Sequence, residues 1–252
     1  MTLSDVVDGF DALRPGDSER FAAMEEVVLH YQRRNNPVVA AYGASRYLPI
    51  DAFKHAPVCT FDPEDAEAVF LSSGTGATGS GGTRTGTGAT GSGGGSRRSR
   101  HYVRDLDLYH RSIDAGFEAA FGTGPFTFVA HLPVYESQGE QSSLVVMARR
   151  IAERFGNSVS GLFLDDDHVL KTAIAHAASS GERLILLGAA FGLLDLIESG
   201  RAPRLPEDST IVETGGMKTH RRSVGRTDLH ARLSDGFGVN IEQVRSEYGM
   251  CE

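Results

Sequence analysis

Tryptophan is absent from the 252 residues, and cysteine occurs only twice, at Cys59 and Cys251, far apart and in unrelated surroundings. Two isolated thiols argue against a disulfide framework or a cysteine-built zinc site, so reduced thiols and a cytoplasmic location are expected. No apolar run approaches the roughly eighteen residues that span a bilayer. The opening MTLSDVVDGF lacks the basic and apolar regions of a secretion signal. Basic charge is also short: 25 Lys and Arg stand against 33 Asp and Glu, a net charge of −8. A phosphate-backbone partner requires a basic face, which the short cluster Arg97, Arg98 and Arg100 does not make, so no nucleic-acid partner is expected.

Apolar residues are sufficient in number to bury a core, and their spacing carries the fold. From 18 to 35, Phe21, Met24, Val27, Val28 and Tyr31 recur at three- and four-residue intervals, which predicts an amphipathic helix with Ser18 as its N-cap and Pro37 as its stop. A short buried strand is expected at 67–71 and a helix at 104–121. Beyond it, strands at 126–130, 161–164, 183–187, 210–213 and 244–248 alternate with helices at 141–155, 168–179, 191–198 and 226–237. Such alternation indicates βαβ units and an α/β fold with a largely parallel sheet. Runs such as LILL at 184–187 suit strands covered by helices on both faces.

Glycine is plentiful, and it is concentrated. The nine residues GTGATGSGG occur at 74–82 and again at 86–94, a period of twelve, and half of the residues from 74 to 95 are glycine. A tract with almost no apolar side chain cannot stack as a solenoid, and its composition is that of a flexible linker. Its entrance is different. The strand AVFL runs directly into Ser72, Ser73, Gly74 and Thr75, which places hydroxyls and free N–H groups at a strand end, where consecutive N–H groups form a nest for an anion. No Lys-Ser or Lys-Thr follows, so a Walker-type P-loop is excluded.

Three more motifs follow in order: LPVYESQG at 132–139, ETGGMK at 213–218, where paired glycines allow a flat ring to approach the backbone, and SEYGMCE at 246–252. A Ser/Thr/Gly loop, LPxxxxxG, a Gly-Gly strand end and YGxxE, taken in this order, resemble the adenylate-forming enzymes. The stretches FLSSGT, SRHYVRDLDLYHRSI, LPVYESQGEQSSLVVM, ETGGMK and LHARLSDGFGVNIEQVRSEYGM most resemble the LuxE-type acyl-protein synthetase family. The resemblance implies an adenylation-domain-like fold and ATP-dependent activation of a fatty or other carboxylic acid to an acyl-adenylate. The acyl group then passes to the thiol of an acceptor protein, and a fatty acid reductase subunit is the implied partner.

Residue by residue, it implies that Ser72, Ser73, Gly74 and Thr75 hold the ATP phosphates. Gly215 and Gly216 lie against adenine, with Tyr248 and Gly249 on its other side. Pro133, Tyr135 and Gly139 line the acyl pocket, and Glu252 is the catalytic carboxylate that coordinates Mg2+. The chain departs from the family in three places. Gly76 and Ala77 stand where the loop normally turns, so that Thr78 and Gly79, or Thr90 and Gly91, substitute for its Thr-Gly pair. Cys251, a weak hydrogen-bond donor, replaces a phosphate-binding Thr. Finally, the family continues beyond YGxxE into a smaller region carrying a ribose-binding acid, a hinge, a lysine and the acceptor cysteine. The expectation is an incomplete adenylation domain over 1–252, with a flexible insert at 74–98. An acid:CoA ligase of the phenylacetate-CoA ligase type and a non-catalytic nucleotide-binding or reductase-docking module are the alternatives.

Other features read as structural. Asp165, Asp166, Asp167 and His168 form an acidic start to a helix, which the helix dipole favours over metal binding. Gly188 to Gly192 has the wrong spacing for a dinucleotide fingerprint and reads as a close strand-to-helix turn. Arg221, Arg222 and Arg226 are either phosphate contacts or a solvated basic face. His131, His176 and His230 have no partner at readable spacing. Because loop-closure entropy grows slowly with length, deletion of one twelve-residue unit from the glycine-rich repeat is expected to leave the melting temperature unchanged. A marked drop in a thermal melt would show the repeat to be structural.

Overall fold

The computed structural model describes residues 8–9, 17–43, 45, 47–72, 98–133, 136–163, 167–215 and 224–247. Three helices come first: α1 (Ser18–Asn35), α2 (Pro37–Ala41) and α3 (Ala52–His55). The strands β1 (Ala68–Leu71) and β2 (Arg100–Val103) form an antiparallel pair with Leu71 opposite Arg100. Then follow α4 (Leu106–Phe121), β3 (Thr127–His131), α5 (Ser143–Phe155), β4 (Gly161–Phe163), α6 (Asp167–Ser180), β5 (Leu184–Ala189), α7 (Ala190–Glu198), β6 (Thr210–Thr214), α8 (Arg226–Phe237) and β7 (Val244–Glu247).

The last five strands form one parallel sheet in the order β4-β3-β5-β6-β7. From β3 the chain first moves outward to β4, then crosses back to β5 on the other side, so the direction of winding reverses at β3. Alternate residues of each strand face opposite ways. Phe128, Ala130, Ile185, Leu187 and Val212 share a core with Ile113 and Phe117 of α4 and Ala148 and Ile151 of α5. Val129, Leu186, Ile211 and Val244 share the other core with Ala173 of α6, Leu193 of α7 and Phe237 of α8. Every residue of β3, β5 and β6 is buried. This burial explains why the strands read as continuous apolar runs. The α/β fold with helices on both faces of a parallel sheet is thus as the sequence predicts.

Helix starts follow their capping chemistry. Asp17, rather than Ser18, caps α1 through Arg20 N at 3.1 Å, Asp105 caps α4 through Leu108 N at 3.0 Å, and Ser142 caps α5 through Val145 N at 3.4 Å. Pro37 does stop α1, but it also opens α2 at its first position, with the Asn36 side chain accepting from Val38 and Val39. Proline suits that position because the first-turn N–H has no helical partner anyway. The expected insert, apart from Arg98 at the foot of β2, lies outside the described residues.

The helices on one face are joined by an aromatic and an ionic contact. Phe117 of α4 stacks on Phe155 of α5 with centroids 4.7 Å apart. Arg150 of α5 grips Asp114 of α4 with two bonds, Nε to Oδ1 at 2.9 Å and Nη2 to Oδ2 at 2.5 Å. Donation from Arg150 holds the Asp114 carboxyl below its ordinary 3.8, against the opposing effect of burial. The folded protein therefore gains stability from this pair above the unfolded carboxylate pKa and loses it as the pH falls through the lower folded value. Asp114→Asn is expected to cost about 1 kcal/mol at neutral pH. In urea melts across pH, the variant and parent should converge in strong acid.

Candidate functional site

Open α/β sheets bind ligands outside the carboxyl ends of their strands, beside the point where strand order reverses. Here that edge is formed by His131 to Pro133 after β3, Gly188 and Ala189 of β5, Thr214 and Gly215 after β6, and Glu247 of β7. The β5 to α7 connection is the close turn the sequence suggests, since a Cβ on Gly188 would lie 2.6 Å from Leu193. One on Gly192 would lie 3.2 Å from His131 and 3.4 Å from Pro133, so a small residue here lets the first turn of α7 approach the end of β3. The His131 ring is buried and stacks on Phe163 at 4.7 Å.

At the ends of β6 and β7, Glu213 pairs with Ser246 and Thr214 with Glu247. Paired residues of parallel strands project to the same face, so two polar groupings lie on opposite sides of this strand pair. On the side of α8, the Ser246 hydroxyl donates to Glu213 Oε1. The His230 Nε2 of α8 lies 3.3 Å from the same oxygen and 3.2 Å from Ser246 Oγ. On the other side, Thr214 donates to the Glu247 carboxyl, while Glu247 Oε2 is buried with no hydrogen-bond partner among the described residues. Burial pushes the Glu247 carboxyl up, the Thr214 bond opposes this, and the Glu213 charge adds to the rise.

Ser72 stands at the foot of the β1–β2 pair. Its N–H donates to Ser99 O at 3.0 Å, and its hydroxyl oxygen accepts from Ser99 N at 3.0 Å. The half-buried Arg98 donates to the carbonyls of Ser72 and Leu71. The Ser72 hydroxyl thus closes the strand pair and keeps only its own hydrogen for a ligand. The 3-10 turn Glu136–Gln141, within the LPxxxxxG segment, packs against β1. Phe70 of β1 lies 5.2 Å from the Tyr109 ring, whose hydroxyl donates to Ser143 O at 3.2 Å. The end of β1 and the segment that leaves β3 are therefore neighbours.

Gly139 has φ +48° and ψ −128°, a conformation that side-chain-bearing residues avoid. The Gly139 carbonyl accepts from Ser142 N at 3.1 Å, directly before α5 begins. Gly215 is exposed, with open space where a Cβ would stand. Pro133 is half-buried beside α7. Ser73, Gly74, Thr75, Tyr135, Gly216, Tyr248, Gly249 and Glu252 lie outside the described residues, as do Asp165, Asp166, Arg221, Arg222 and Cys251. Among the described residues, no group of three or more His, Cys, Asp or Glu is placed to hold a metal ion, and no helix is long and apolar enough to cross a membrane.

The network of Glu213, Ser246 and His230 is absent from the sequence-based expectations. Its one local signal is a carboxylate within a strand that otherwise reads as buried, since a buried charge demands a partner. That the partner comes from α8, seventeen residues away, is decided by packing. The raised Glu247 carboxyl yields a test. The folded state binds its proton more tightly than the unfolded chain, so this group costs stability as pH rises above 4.5 and costs nothing in stronger acid. Glu247→Gln is expected to raise the melting temperature at neutral pH and to leave it unchanged below the ordinary glutamate pKa, as thermal melts at the two pH values would show. Comparison of the chain with protein-family models, curated proteins and solved structures finds no match.

Proposed function

We propose that the chain is an adenylate-forming enzyme of the LuxE type, which uses ATP to convert a fatty or other carboxylic acid to an acyl-adenylate for transfer to a protein thiol. The observations that support this reading are two neighbourhoods of residues far apart in sequence. Ser72 lies at the foot of a strand pair that packs on the turn 136–141, in the segment leaving β3. Gly215 follows β6, and Glu247 ends the adjacent strand β7 of the same sheet as β3. That edge is where parallel sheets offer backbone N–H groups and unfilled space to a nucleotide.

The chemistry asks little of protein nucleophiles. A carboxylate oxygen attacks the α-phosphorus of ATP, the bond to the β-phosphate oxygen breaks, and pyrophosphate leaves with the electron pair. Positioning, and neutralisation of phosphate charge by Mg2+, N–H groups and cationic side chains, supply the acceleration. The reading assigns the Mg2+ to Glu252 and the adenine to Gly215, Gly216 and Tyr248. It gives the acyl chain to Pro133, Tyr135 and Gly139, and names an acyl-acceptor protein or a reductase subunit as the partner.

Fatty-acid-dependent exchange of labelled pyrophosphate into ATP is the expected activity, assayed on the chain over medium and long straight-chain acids. Gly215→Val places a side chain in open space beside the strand end, and should abolish exchange while leaving the melting temperature unchanged. Absence of both ATP binding and exchange in the parent would overturn the reading. Formation of acyl-CoA when CoA is supplied would move the assignment to an acid:CoA ligase.

A further inference from the structure

A carboxylate, an imidazole and a hydroxyl meet where β6 and β7 end, one from each of β6, α8 and β7. Glu213 is only 5% exposed, so its charge has left bulk water, a cost that only close donors offset. Ser246 and His230 are those donors among the described residues. The arrangement has mechanical meaning because β7 is an edge strand whose single neighbour among the described residues is β6. Its apolar hold ends at Val244, which is buried. Arg245 and Ser246 are exposed, and Glu247 is only partly buried. Beyond Val244, packing against the core cannot fix the path of the strand. Its last residues are tied down by the ladder to β6, by Arg245, which donates to Ala120 O at 3.0 Å, by the Thr214 bond to Glu247, and, on the side of α8, by the Ser246 contacts to Glu213 and His230.

We infer that His230 is a positioning residue: through Glu213 and Ser246 it aligns the carboxyl ends of β6 and β7, and so holds Gly215 and Glu247 in register at the edge to which the nucleotide is assigned. The inference rests on the nucleotide reading above. His230 acts at a distance from the reacting atoms and touches neither the phosphates nor the acid. The ring is 13% exposed and lies on the side of the strand pair opposite Glu247 and Thr214, with Arg226 and Asp228 in the first turn of its own helix. A stability role alone is not the expectation, because the fully bonded network at the other end of the sheet supplies a comparison. There the Asn157 amide bonds Thr127 at 2.8 Å and Glu182 at 2.6 Å, far from the motif-bearing edge.

The experiment is calorimetric titration of Mg-ATP into the full chain, with a thermal melt of each protein without nucleotide. His230→Leu keeps bulk but removes the donor, and should weaken ATP binding about tenfold, as loss of a hydrogen bond to a buried charge does. His230→Gln restores an N–H donor, and should bind within about threefold of the parent. Asn157→Ala should lower the melting temperature and leave the affinity unchanged. Ser246→Ala, on the exposed edge strand, should weaken binding as His230→Leu does, and the double variant should lose no more than the larger single loss, as members of one network do. Parent-like affinity in His230→Leu, equal losses in the Leu and Gln variants, or additive losses in the double variant would each overturn the inference alone. If His230→Leu does not fold, His230→Gln and Ser246→Ala carry the test. Failure of the parent itself to bind ATP would overturn the nucleotide reading, and this inference with it.

Discussion

Five parallel strands covered by helices on both faces leave polar side chains only two places to stand: the ends of the strands, or positions where every polar atom is bonded. The backbone ladder consumes the N–H and C=O groups within the sheet, and the two apolar cores on either side admit no water. The winding of the chain follows from the same constraint. Each crossover helix must return its apolar stripe to a face, so α5 covers one side and α6, α7 and α8 the other. The reversal at β3 marks the carboxyl edge beside which open α/β sheets bind their ligands.

The two ends of the sheet use their polar groups differently. At the amino end, Asn157 bonds Thr127 and Glu182, Ser160 bonds Asn157 at 3.0 Å and donates to Phe126 O at 3.3 Å, and His176 lies 3.3 Å from Glu182. Such interlocked bonds hold the strand starts together. At the carboxyl end, Glu247 keeps a buried oxygen with no partner among the described residues, beside the charge of Glu213, an arrangement that costs stability at neutral pH. Proteins tolerate such costs where a ligand is to be met. Exposed Gly215 follows β6 at this edge, and positive-φ Gly139 lies in the segment that leaves β3 there, whereas the amino end is held by its interlocked bonds.

The legibility of the chain follows the same division. The segment 226–237 reads as a helix because Leu229, Leu233 and Phe237 repeat at helical spacing, and they are the residues buried on α8. The run LILL reads as a covered strand because all four residues are apolar, and helix-covered cores bury both of its faces. The strand RHYV of β2 went unread, since four mixed residues after a glycine-rich tract have no periodicity, and they become a strand only by pairing with AVFL across the tract. The helix α2 was hidden by Pro37, which ends one helix and begins the next. Ser72, expected as a phosphate ligand, is also the residue whose hydroxyl closes the β1–β2 pair, a second role that depends on Ser99 arriving from 27 residues away.

Local chemistry, written in order along the chain, was enough to determine the α/β class, the alternation of strands and helices and the candidate motifs, because apolar period and capping residues act within a few positions. Only the tertiary structure decided that β3 lies between β4 and β5, that the LPxxxxxG segment packs on β1, and that His230 meets Glu213 and Ser246. Those meetings join residues separated by whole elements. Their energy comes from burying shared surface and from satisfying a charge withdrawn from water, and neither quantity exists until the chain has closed on itself.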